Sequence, residues 1–271
     1  MSTQLEKAQA FYALHQRPGV FVLPNPWDAG SAKLLAHVGF EALATTSLGF
    51  ASTFGKVDGT GAVSRADTLA NCRDIAAATD LPVNADLENC FADDPKTAAE
   101  TIRLAAETGV VGGSIEDATG DAGKPIYDFD FAVERVRAAV AVARALPFPF
   151  TLTARAENFL HGRPDLDDTI RRLQAFAQAG ADVLYAPGLK DLATIRHVVA
   201  SVTKPVNVLM ASPRSRTVSL GSADAISTGS GLARLALGAF LKGARALKDQ
   251  GSFAWIGDAV PSRELKDVFG R

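Results

Sequence analysis

The segment 81–88 has the sequence Leu81-Pro82-Val83-Asn84-Ala85-Asp86-Leu87-Glu88. It begins as a short apolar strand and ends in two carboxylates, Asp86 and Glu88. Because successive side chains of a strand alternate between its faces, this spacing places both carboxylates on the same face. Carboxylates at the end of a buried strand are costly unless a positive group holds them. The segment therefore indicates a divalent metal or a basic substrate; the alternative is a salt-bridged or helix-capping pair at a loop entrance.

The same strand pattern recurs along the chain, with helical segments in between. Strands are predicted at residues 20–23, 41–46, 81–88, 110–116, 150–155, 182–186, 205–209 and 225–228. None of them alternates between apolar and polar residues, which indicates parallel strands covered by helices. Eight such units favour an α/β fold of the (β/α)₈ TIM-barrel type over an open doubly wound sheet. No G-x-G-x-x-G motif follows the first strand, which weakens the dinucleotide-binding alternative.

We expect residues 1–271 to form one barrel domain, since no linker or low-complexity segment divides the chain. An N-terminal helix is predicted at 4–16. The apolar helix at 232–248 is typical of a C-terminal extension that is swapped with a neighbouring subunit or packed on its own barrel.

The composition argues against several classes of partner. The net charge is −2 and no cluster of Lys and Arg stands out, which argues against nucleic acid and anionic membranes. The first residues do not resemble a signal peptide, and no apolar run is long enough to span a bilayer. Cys72 and Cys90 are too few for a disulfide framework or a thiolate metal site. We therefore expect a cytoplasmic globular protein.

In a parallel barrel, functional side chains lie at the C-terminal ends of the strands and in the loops that follow. The third strand ends at Asp86 and Glu88, the fourth at Glu116, and the fifth at Arg155. The other loops offer, in chain order, Asn25, Trp27, Asp28, Ser47, Leu48, Gly49, Asp117, Glu157, Pro187, Gly188 and Asn207. Acidic residues thus gather on the third and fourth strands, with one arginine from the fifth.

Carboxylates from neighbouring strands, with room for water, suit Mg²⁺. An arginine beside them can bind a carboxylate or a phosphonate through two parallel hydrogen bonds. Together they could hold a 2-oxo acid and stabilise its enolate, with the metal as Lewis acid and backbone N–H groups near Ser47 and Gly49 as donors. The alternative for Arg155 with Glu116 or Glu157 is a structural ion pair. The match of four strand ends in order favours the metal–enolate interpretation.

From about residue 11 to residue 240 the chain resembles the isocitrate lyase and phosphoenolpyruvate mutase superfamily. The resemblance rests on Thr46-Ser47-Leu48-Gly49, Asp86-Leu87-Glu88, Ile115-Glu116-Asp117, Thr153-Ala154-Arg155-Ala156-Glu157, Val206-Asn207-Val208-Leu209 and Thr228-Gly229-Ser230-Gly231-Leu232. It implies a (β/α)₈ barrel whose last helix is often exchanged between subunits, in a homodimer or homotetramer. It also implies a Mg²⁺-dependent enzyme that cleaves or rearranges a C–C or C–P bond next to an oxo acid through an enolate.

The resemblance also implies roles for single residues. Asp86 corresponds to the direct metal ligand, and Glu88 and Glu116 to residues that hold Mg²⁺ (or Mn²⁺) largely through water. Ser47 and Gly49 correspond to the donors that bind the substrate carboxylate, and Arg155 to the substrate-binding arginine. The candidate catalytic residues are therefore Arg155, Ser47 and Glu116. The candidate substrate-binding residues are Ser47, Leu48, Gly49, Arg155, Asn207, Asp58 and Trp27.

Two loops depart from the family pattern. Lyases of the superfamily carry Lys-Lys-Cys-Gly-His after the fourth strand, whereas residues 118–127 contain no cysteine and offer only Lys124 in place of the mutase lysine. Ordinary isocitrate or methylisocitrate cleavage is therefore not expected. After the third strand, the usual Gly-Tyr-Gly is Asn89-Cys90-Phe91. His161 and Cys90 stay open as catalytic candidates, Cys90 against the alternative of a buried, inert thiol.

The leading hypothesis is a Mg²⁺-dependent lyase, decarboxylase or phosphonomutase-like enzyme acting on a small 2-oxo acid. One alternative is a pyruvate-type class II aldolase, which would cleave 4-hydroxy-2-oxo acids. The other is a barrel that binds an oxo acid without turning it over, and the missing Cys-Gly-His loop is its best support.

Overall fold

The computed structural model describes residues 2–210 and 223–270. Within them, eight strands lie inside the eight predicted ranges: β1 Phe21–Leu23, β2 Leu43–Ala44, β3 Val83–Ala85, β4 Gly112–Glu116, β5 Thr151–Arg155, β6 Val183–Tyr185, β7 Val206–Leu209 and β8 Ala225–Ser227. The helices are α1 Gln4–Leu14, α2 Ala29–Val38, α3 Ser47–Thr53, α4 Arg65–Ala77, α5 Pro95–Ala106, α6 Phe129–Ala145, α7 Leu166–Ala179, α8 Leu192–Ala200, α9 Gly231–Gln250 and α10 Ser262–Phe269.

The strands form one parallel sheet in the order β1-β8-β7-β6-β5-β4-β3-β2. In this register Glu116 at the end of β4 lies beside Arg155 at the end of β5, and Arg155 lies beside Tyr185 at the end of β6. Neighbouring strand ends therefore present their side chains at one rim of the sheet, as the sequence predicts.

Hydrogen bonds just beyond β1 bridge the remaining seam, between β1 and β2. The Ala44 N–H donates to the carbonyl of Pro24 at 3.1 Å, and the Asn25 side-chain amide donates to the carbonyl of Thr45 at 2.9 Å. The sheet is therefore a nearly closed barrel, and the predicted (β/α)₈ TIM-barrel fold is confirmed.

The apolar core lies between the strands and the outer helices, where Ile75, Ile102, Leu152 and Phe176 are fully buried. A second cluster lies at the other end of the barrel, where Phe11 and Leu14 of α1 pack with residues at or just before the starts of strands, namely Phe21, Val111 and Ala225. Helix α1 thus covers the N-terminal end of the barrel and leaves the C-terminal rim for the loops.

The structure corrects the geometry that we assumed for segment 81–88. The strand ends at Ala85, so Asp86 and Glu88 both follow it, and Glu88 has a left-handed backbone with φ of 50°. Same-face alternation along a strand is therefore the wrong reason for grouping the two carboxylates. Ser47 and Gly49 also differ from expectation, because they open helix α3 instead of lying in a loop.

The C-terminal helices differ in how they pack. Helix α10 lies against α2, with Val268 buried. Helix α9 leaves large apolar side chains exposed, namely Leu235, Leu237, Phe240, Leu241 and Leu247. Among the described residues, no helix combines the length and the apolar character needed to cross a membrane.

Candidate active site

Arg155 is the centre of the charged cluster at the C-terminal rim. Its Nη1 lies 2.9 Å from Asp86, its Nη2 lies 3.1 Å from Glu116, and its Nε lies 2.8 Å from Glu157. Burial alone would lower the pKa of Arg155, but Glu157, Glu116 and Asp86 raise it well above its usual range. The guanidinium is therefore a permanent positive charge that joins three strand ends.

Asp86 is held on both carboxylate oxygens. Oδ1 accepts from Arg155, and Oδ2 accepts from the backbone N–H of Ser47 at 3.1 Å. The Asp86 N–H donates to Thr45 Oγ1 at 2.8 Å, so the loop after β2 fixes the backbone of this residue as well. Thr45 was missed by sequence reasoning, because nothing in its local pattern distinguishes it from other strand residues.

The two backbone donors predicted for the substrate already have internal partners. The Ser47 N–H donates to Asp86, and the Gly49 N–H donates to Thr46 Oγ1 at 3.4 Å. The Ser47 hydroxyl donates to Asp58 Oδ2 at 3.1 Å. A substrate carboxylate that used these donors would have to replace those bonds.

Three further carboxyl groups at the rim hold their protons more tightly than in water. Burial raises the pKa of Glu116 despite Arg155, and burial followed by Asp86 raises the pKa of Asp58. For Glu88, burial and then the charges of Asp86 and Asp58 raise the pKa to about 7. The cluster therefore has more buried negative charge than Arg155 can neutralise.

The donor set fits a hydrated divalent cation. Among the described residues, no three His, Cys, Asp or Glu side chains converge closely enough to coordinate one ion directly. In proteins, Mg²⁺ keeps several of its waters and is bound directly by only one or two carboxylates. A Mg²⁺ ion bound directly by Asp86, and through water by Glu88 and Glu116, would agree with this preference and with the absence of a close three-residue cluster among the described residues. The observation that favours this ion is that several partly buried carboxylates gather beside the single guanidinium of Arg155.

A second buried network braces the loop after β5. Arg172 donates to Asp117 Oδ2 at 2.9 Å and to Asp168 Oδ2 at 2.7 Å. Asp117 Oδ1 in turn accepts the backbone N–H of Glu157 at 2.8 Å, which fixes the carboxylate partner of Arg155. Burial raises the pKa of Asp117 to about 6, against the effect of Arg172.

An inner cavity of about 180 Å³ extends from this rim into the barrel. Polar side chains line it where TIM barrels usually carry bulky apolar ones. Among the described residues, the amide oxygens of Asn84 and Asn207 are buried there without a hydrogen-bond partner, while the Asn207 amide donates to Ser227 Oγ at 2.9 Å. These two oxygens can accept from water or from a hydroxyl group of a ligand.

The predicted site residues divide into three groups. Ser47, Leu48, Asp58, Asp86, Arg155 and Asn207 line the inner cavity. Glu88 and Glu116, together with Ser47, Asp58, Arg155 and His161, line an outer cavity above it. Gly49 and Trp27 line neither cavity. Gly49 is buried, and a Cβ added there would lie 3.0 Å from the Cβ of Trp27.

Two other candidates lie apart from the chemistry. Lys124 pairs with Asp128 at 2.6 Å on the surface, and it does not line either cavity. Cys90 is fully buried, and burial raises the pKa of its thiol to about 12. The environment of Cys90 is therefore that of an inert thiol.

Sequence reasoning assigned little to the end of the sixth strand and so missed Tyr185. Its ring lies 5.1 Å from the Arg155 guanidinium, in a cation–π contact, and it lines the inner cavity. The available signal was the strand register, because residues at matching ends of adjacent parallel strands are neighbours.

The chain is similar to several known proteins over most of its length. The phosphoenolpyruvate phosphomutase family model matches residues 11–248. An uncharacterized protein of Mycobacterium tuberculosis is 31% identical over 245 residues, which cover 89% of each chain. The crystal structure of a candidate lyase/mutase from Burkholderia cenocepacia J2315 has a TM-score of 0.96 at 55% identity, covering 99% of this chain and 97% of that one. The crystal structure of a 2,3-dimethylmalate lyase has a TM-score of 0.86 at 26% identity, covering 100% of this chain and 95% of that one.

The superfamily contains lyases, phosphonomutases and hydrolases, and they act on oxo acids and related compounds. With the matching fold, the match over most of the chain and the Arg155 cluster at the expected rim, this chain belongs to the phosphoenolpyruvate phosphomutase family of the isocitrate lyase/phosphoenolpyruvate mutase superfamily.

Proposed function

We propose that the protein is a Mg²⁺-dependent enzyme that cleaves or rearranges the C–C or C–P bond next to the oxo group of a small 2-oxo acid. One observation carries the proposal: Arg155 is a buried, permanent cation bound to Asp86, Glu116 and Glu157 at the mouth of a polar cavity. This arrangement offers both a positive group for a substrate carboxylate and excess carboxylates for a cation.

Arg155 has donors left for a substrate. A guanidinium carries five N–H donors. Its contacts with Asp86, Glu116 and Glu157 use one nitrogen each, so in the described part of the chain Nη1 and Nη2 each keep a second N–H group. Two such groups can bind a carboxylate in the bidentate manner typical of arginine. Arg155 would thus orient the acid end of the substrate without giving up its ion pairs.

Asp86, Glu88 and Glu116 would hold the Mg²⁺ ion, Asp86 directly and the two glutamates through water. When bound, Mg²⁺ supplies a Lewis acid for the oxygen of the oxo group or its enolate. Asn207 and Tyr185 line the inner cavity, where they would border a bound substrate. Thr119 and Gly120, in the loop that lacks the family cysteine, border the outer cavity, where the departing group would lie.

The decisive experiment is turnover of substituted 2-oxo acids, including oxaloacetate and phosphonopyruvate, with Mg²⁺. Cleavage is detected by loss of the acid and release of products such as pyruvate, and rearrangement of phosphonopyruvate by formation of phosphoenolpyruvate. We expect wild-type turnover to require the metal, and we expect Asp86→Ala to abolish this metal-dependent turnover. Unchanged turnover in Asp86→Ala would refute the mechanism. Release of pyruvate together with an aldehyde from 4-hydroxy-2-oxo acids alone would identify the aldolase alternative.

A barrel that binds without catalysis gives a different result. Thermal unfolding with Mg²⁺ and oxalate, a mimic of the pyruvate enolate, measures binding alone. Stabilisation by both ligands, with no turnover across the whole panel of acids, would favour the non-catalytic alternative.

We further propose that the protein is a homodimer or homotetramer in which a second copy covers α9. The support is the row of exposed apolar side chains on this helix, including Leu235 and Phe240, which are 69% and 71% exposed. Several large apolar side chains exposed on one helix are typical of an interface. Light scattering after size exclusion should give a mass of two or four chains, and Phe240→Glu should lower it. A monomeric wild-type protein would refute this proposal.

A further inference from the structure

The loop after β3 has an unusual backbone. Three of its residues, none of them glycine, lie in the left-handed region: Glu88 at φ 50°, Cys90 at φ 60° and Phe91 at φ 58°. Side chains with a Cβ disfavour this region, so a non-glycine residue persists there only when its surroundings hold it. Three such residues within four positions require an external clamp.

Arg135 of α6 provides such a clamp, because its guanidinium donates hydrogen bonds to backbone carbonyls on this loop. Its side chain is 1% exposed, and its Nη1 donates to the carbonyls of Ala92 at 2.7 Å and Asp93 at 2.9 Å. Its Nη2 donates to the carbonyl of Asn89. The planar fork of an arginine can reach carbonyls on both sides of a loop at once, whereas a lysine presents a single nitrogen.

Tyr127 and Thr101 make further contacts with the Arg135 side chain and with the loop. The Arg135 guanidinium lies 4.3 Å from the centre of the Tyr127 ring, and the Tyr127 hydroxyl donates to the Asp93 carboxylate. The carbonyl of Cys90 accepts from Thr101 Oγ1 at 2.8 Å. Arg135 is the one charged side chain among these donors, and its charge strengthens each of its hydrogen bonds.

The clamp acts directly next to a candidate metal-binding residue. Glu88 lies between Leu87, which is fully buried, and Asn89, whose carbonyl Arg135 holds. The carbonyl of Glu88 accepts from the Glu116 N–H at 3.1 Å, so the two glutamates share one backbone arrangement. If the loop relaxed, Glu88 would move relative to both Glu116 and Asp86.

We propose that Arg135 is a positioning residue of the metal site, which holds the 88–93 loop in its left-handed form so that Glu88 faces the ion. The inference rests on the proposed function, because it assumes that Glu88 helps to hold Mg²⁺. Residues that orient metal ligands typically change metal affinity about 10- to 100-fold when they are replaced.

The test compares Mg²⁺ affinity, measured by titration calorimetry, in wild type, Arg135→Lys and Arg135→Met. We expect about 10- to 100-fold weaker binding in both variants, and more in Met than in Lys. Arg144→Met is a control on the same helix, at a more exposed arginine that also pairs with Asp182 at 2.6 Å. Arg144 donates to the carbonyls of Phe150 at 3.3 Å and Gly180 at 2.9 Å, at the opposite end of the barrel.

A rescue variant separates positioning from general destabilisation. Glycine adopts the left-handed region freely, so Phe91→Gly lowers the strain that the clamp must hold. In the Arg135→Lys background, Phe91→Gly should recover part of the lost Mg²⁺ affinity. Hydrogen exchange of the metal-free protein should show faster exchange of residues 88–93 in the Arg135 variants and slower exchange again after the rescue.

Each outcome is informative. Folded Arg135 variants that bind Mg²⁺ as tightly as wild type would overturn the role of Arg135 and leave the proposed function intact. Equal losses in Arg144→Met, or no rescue by Phe91→Gly, would also overturn it, because the effect would then reflect stability alone. If Arg135→Met does not fold, Arg135→Lys decides. A wild-type protein that binds no Mg²⁺ would overturn the proposed function and this inference together.

Discussion

Replacing Glu88 with glutamine should stabilise the metal-free protein at alkaline pH. Burial, followed by the charges of Asp86 and Asp58, raises the pKa of Glu88 from 4.5 to about 7. The folded protein therefore binds this proton more tightly than the unfolded chain. The resulting stability is fully present below pH 4.5 and is lost as the pH rises through 7. At 1.36 kcal/mol for each pH unit between the two pKa values, the loss reaches about 3 kcal/mol by pH 8.

Urea unfolding in EDTA at pH 5 and pH 8 measures this effect. The free energy of unfolding of Glu88→Gln minus that of wild type should rise by about 2.5 kcal/mol between the two pH values, since an amide does not titrate. Taking this difference removes the contributions of Asp58 and Glu116 that act in both proteins, and it leaves the titration of Glu88 together with the effect of its charge on Glu116. Glu134→Gln, an exposed glutamate of α6, is the control and should show no such rise.

The same variant tests the metal proposal from the opposite direction. Mg²⁺ at pH 8 should stabilise wild type more than Glu88→Gln. At a given Mg²⁺ concentration, the free energy of stabilisation grows with the logarithm of the ratio of that concentration to Kd, so the protein that binds more tightly gains more. The variant should thus be more stable without the metal and less responsive to it. An identical pH dependence in Glu88→Gln and wild type would refute the reasoning about Glu88.

Three further results are expected. Arg155→Lys should lower kcat/KM at least about 100-fold, which steady-state kinetics measure. Arg155→Met should also destabilise the fold by about 3–5 kcal/mol, because it leaves buried carboxylates unpaired, and urea unfolding measures this loss. Gly49→Ala should lower the free energy of unfolding by about 1–3 kcal/mol, because the added Cβ would lie 2.6 Å from Thr46 Cγ2 and 3.0 Å from Trp27 Cβ. A melting temperature equal to that of wild type would contradict this packing. In the folded protein at pH 8, Cys90 should resist iodoacetamide, because burial raises the pKa of its thiol to about 12. Cys90→Ala should keep turnover, and rapid inactivation of wild type by the reagent would restore the catalytic interpretation.

Sequence reasoning succeeded where local pattern carries the information. Short apolar runs separated by helical segments predict a parallel barrel, and the structure places all eight strands inside the predicted ranges. The ends of those strands also identified Asp86, Glu116 and Arg155, which the structure brings into one cluster. Strand bounds were too long in several cases, because β propensity continues beyond the residues that the neighbouring strand can pair with.

The reasoning failed where a contact depends on residues far apart in the chain. Asp86 and Glu88 were grouped by strand alternation, yet a left-handed turn after Ala85 determines their arrangement. That turn is held by Arg135, which lies more than forty positions away on an outer helix. No local pattern distinguishes this arginine from an ordinary surface residue of α6, so its role was invisible before folding.

By itself, then, the sequence determined the barrel, the rim at which the charged cluster lies and the residue types that gather there. The reason is that hydrophobic periodicity and strand order are local properties, and parallel strands align their ends whatever the details of packing. Only the tertiary structure decided which donors meet which carboxylates, which of those carboxyl groups have raised pKa values, and that Arg135 donates to the carbonyls of the loop beside Glu88. Distances and burial between remote residues set those properties, and both exist only once the chain has packed.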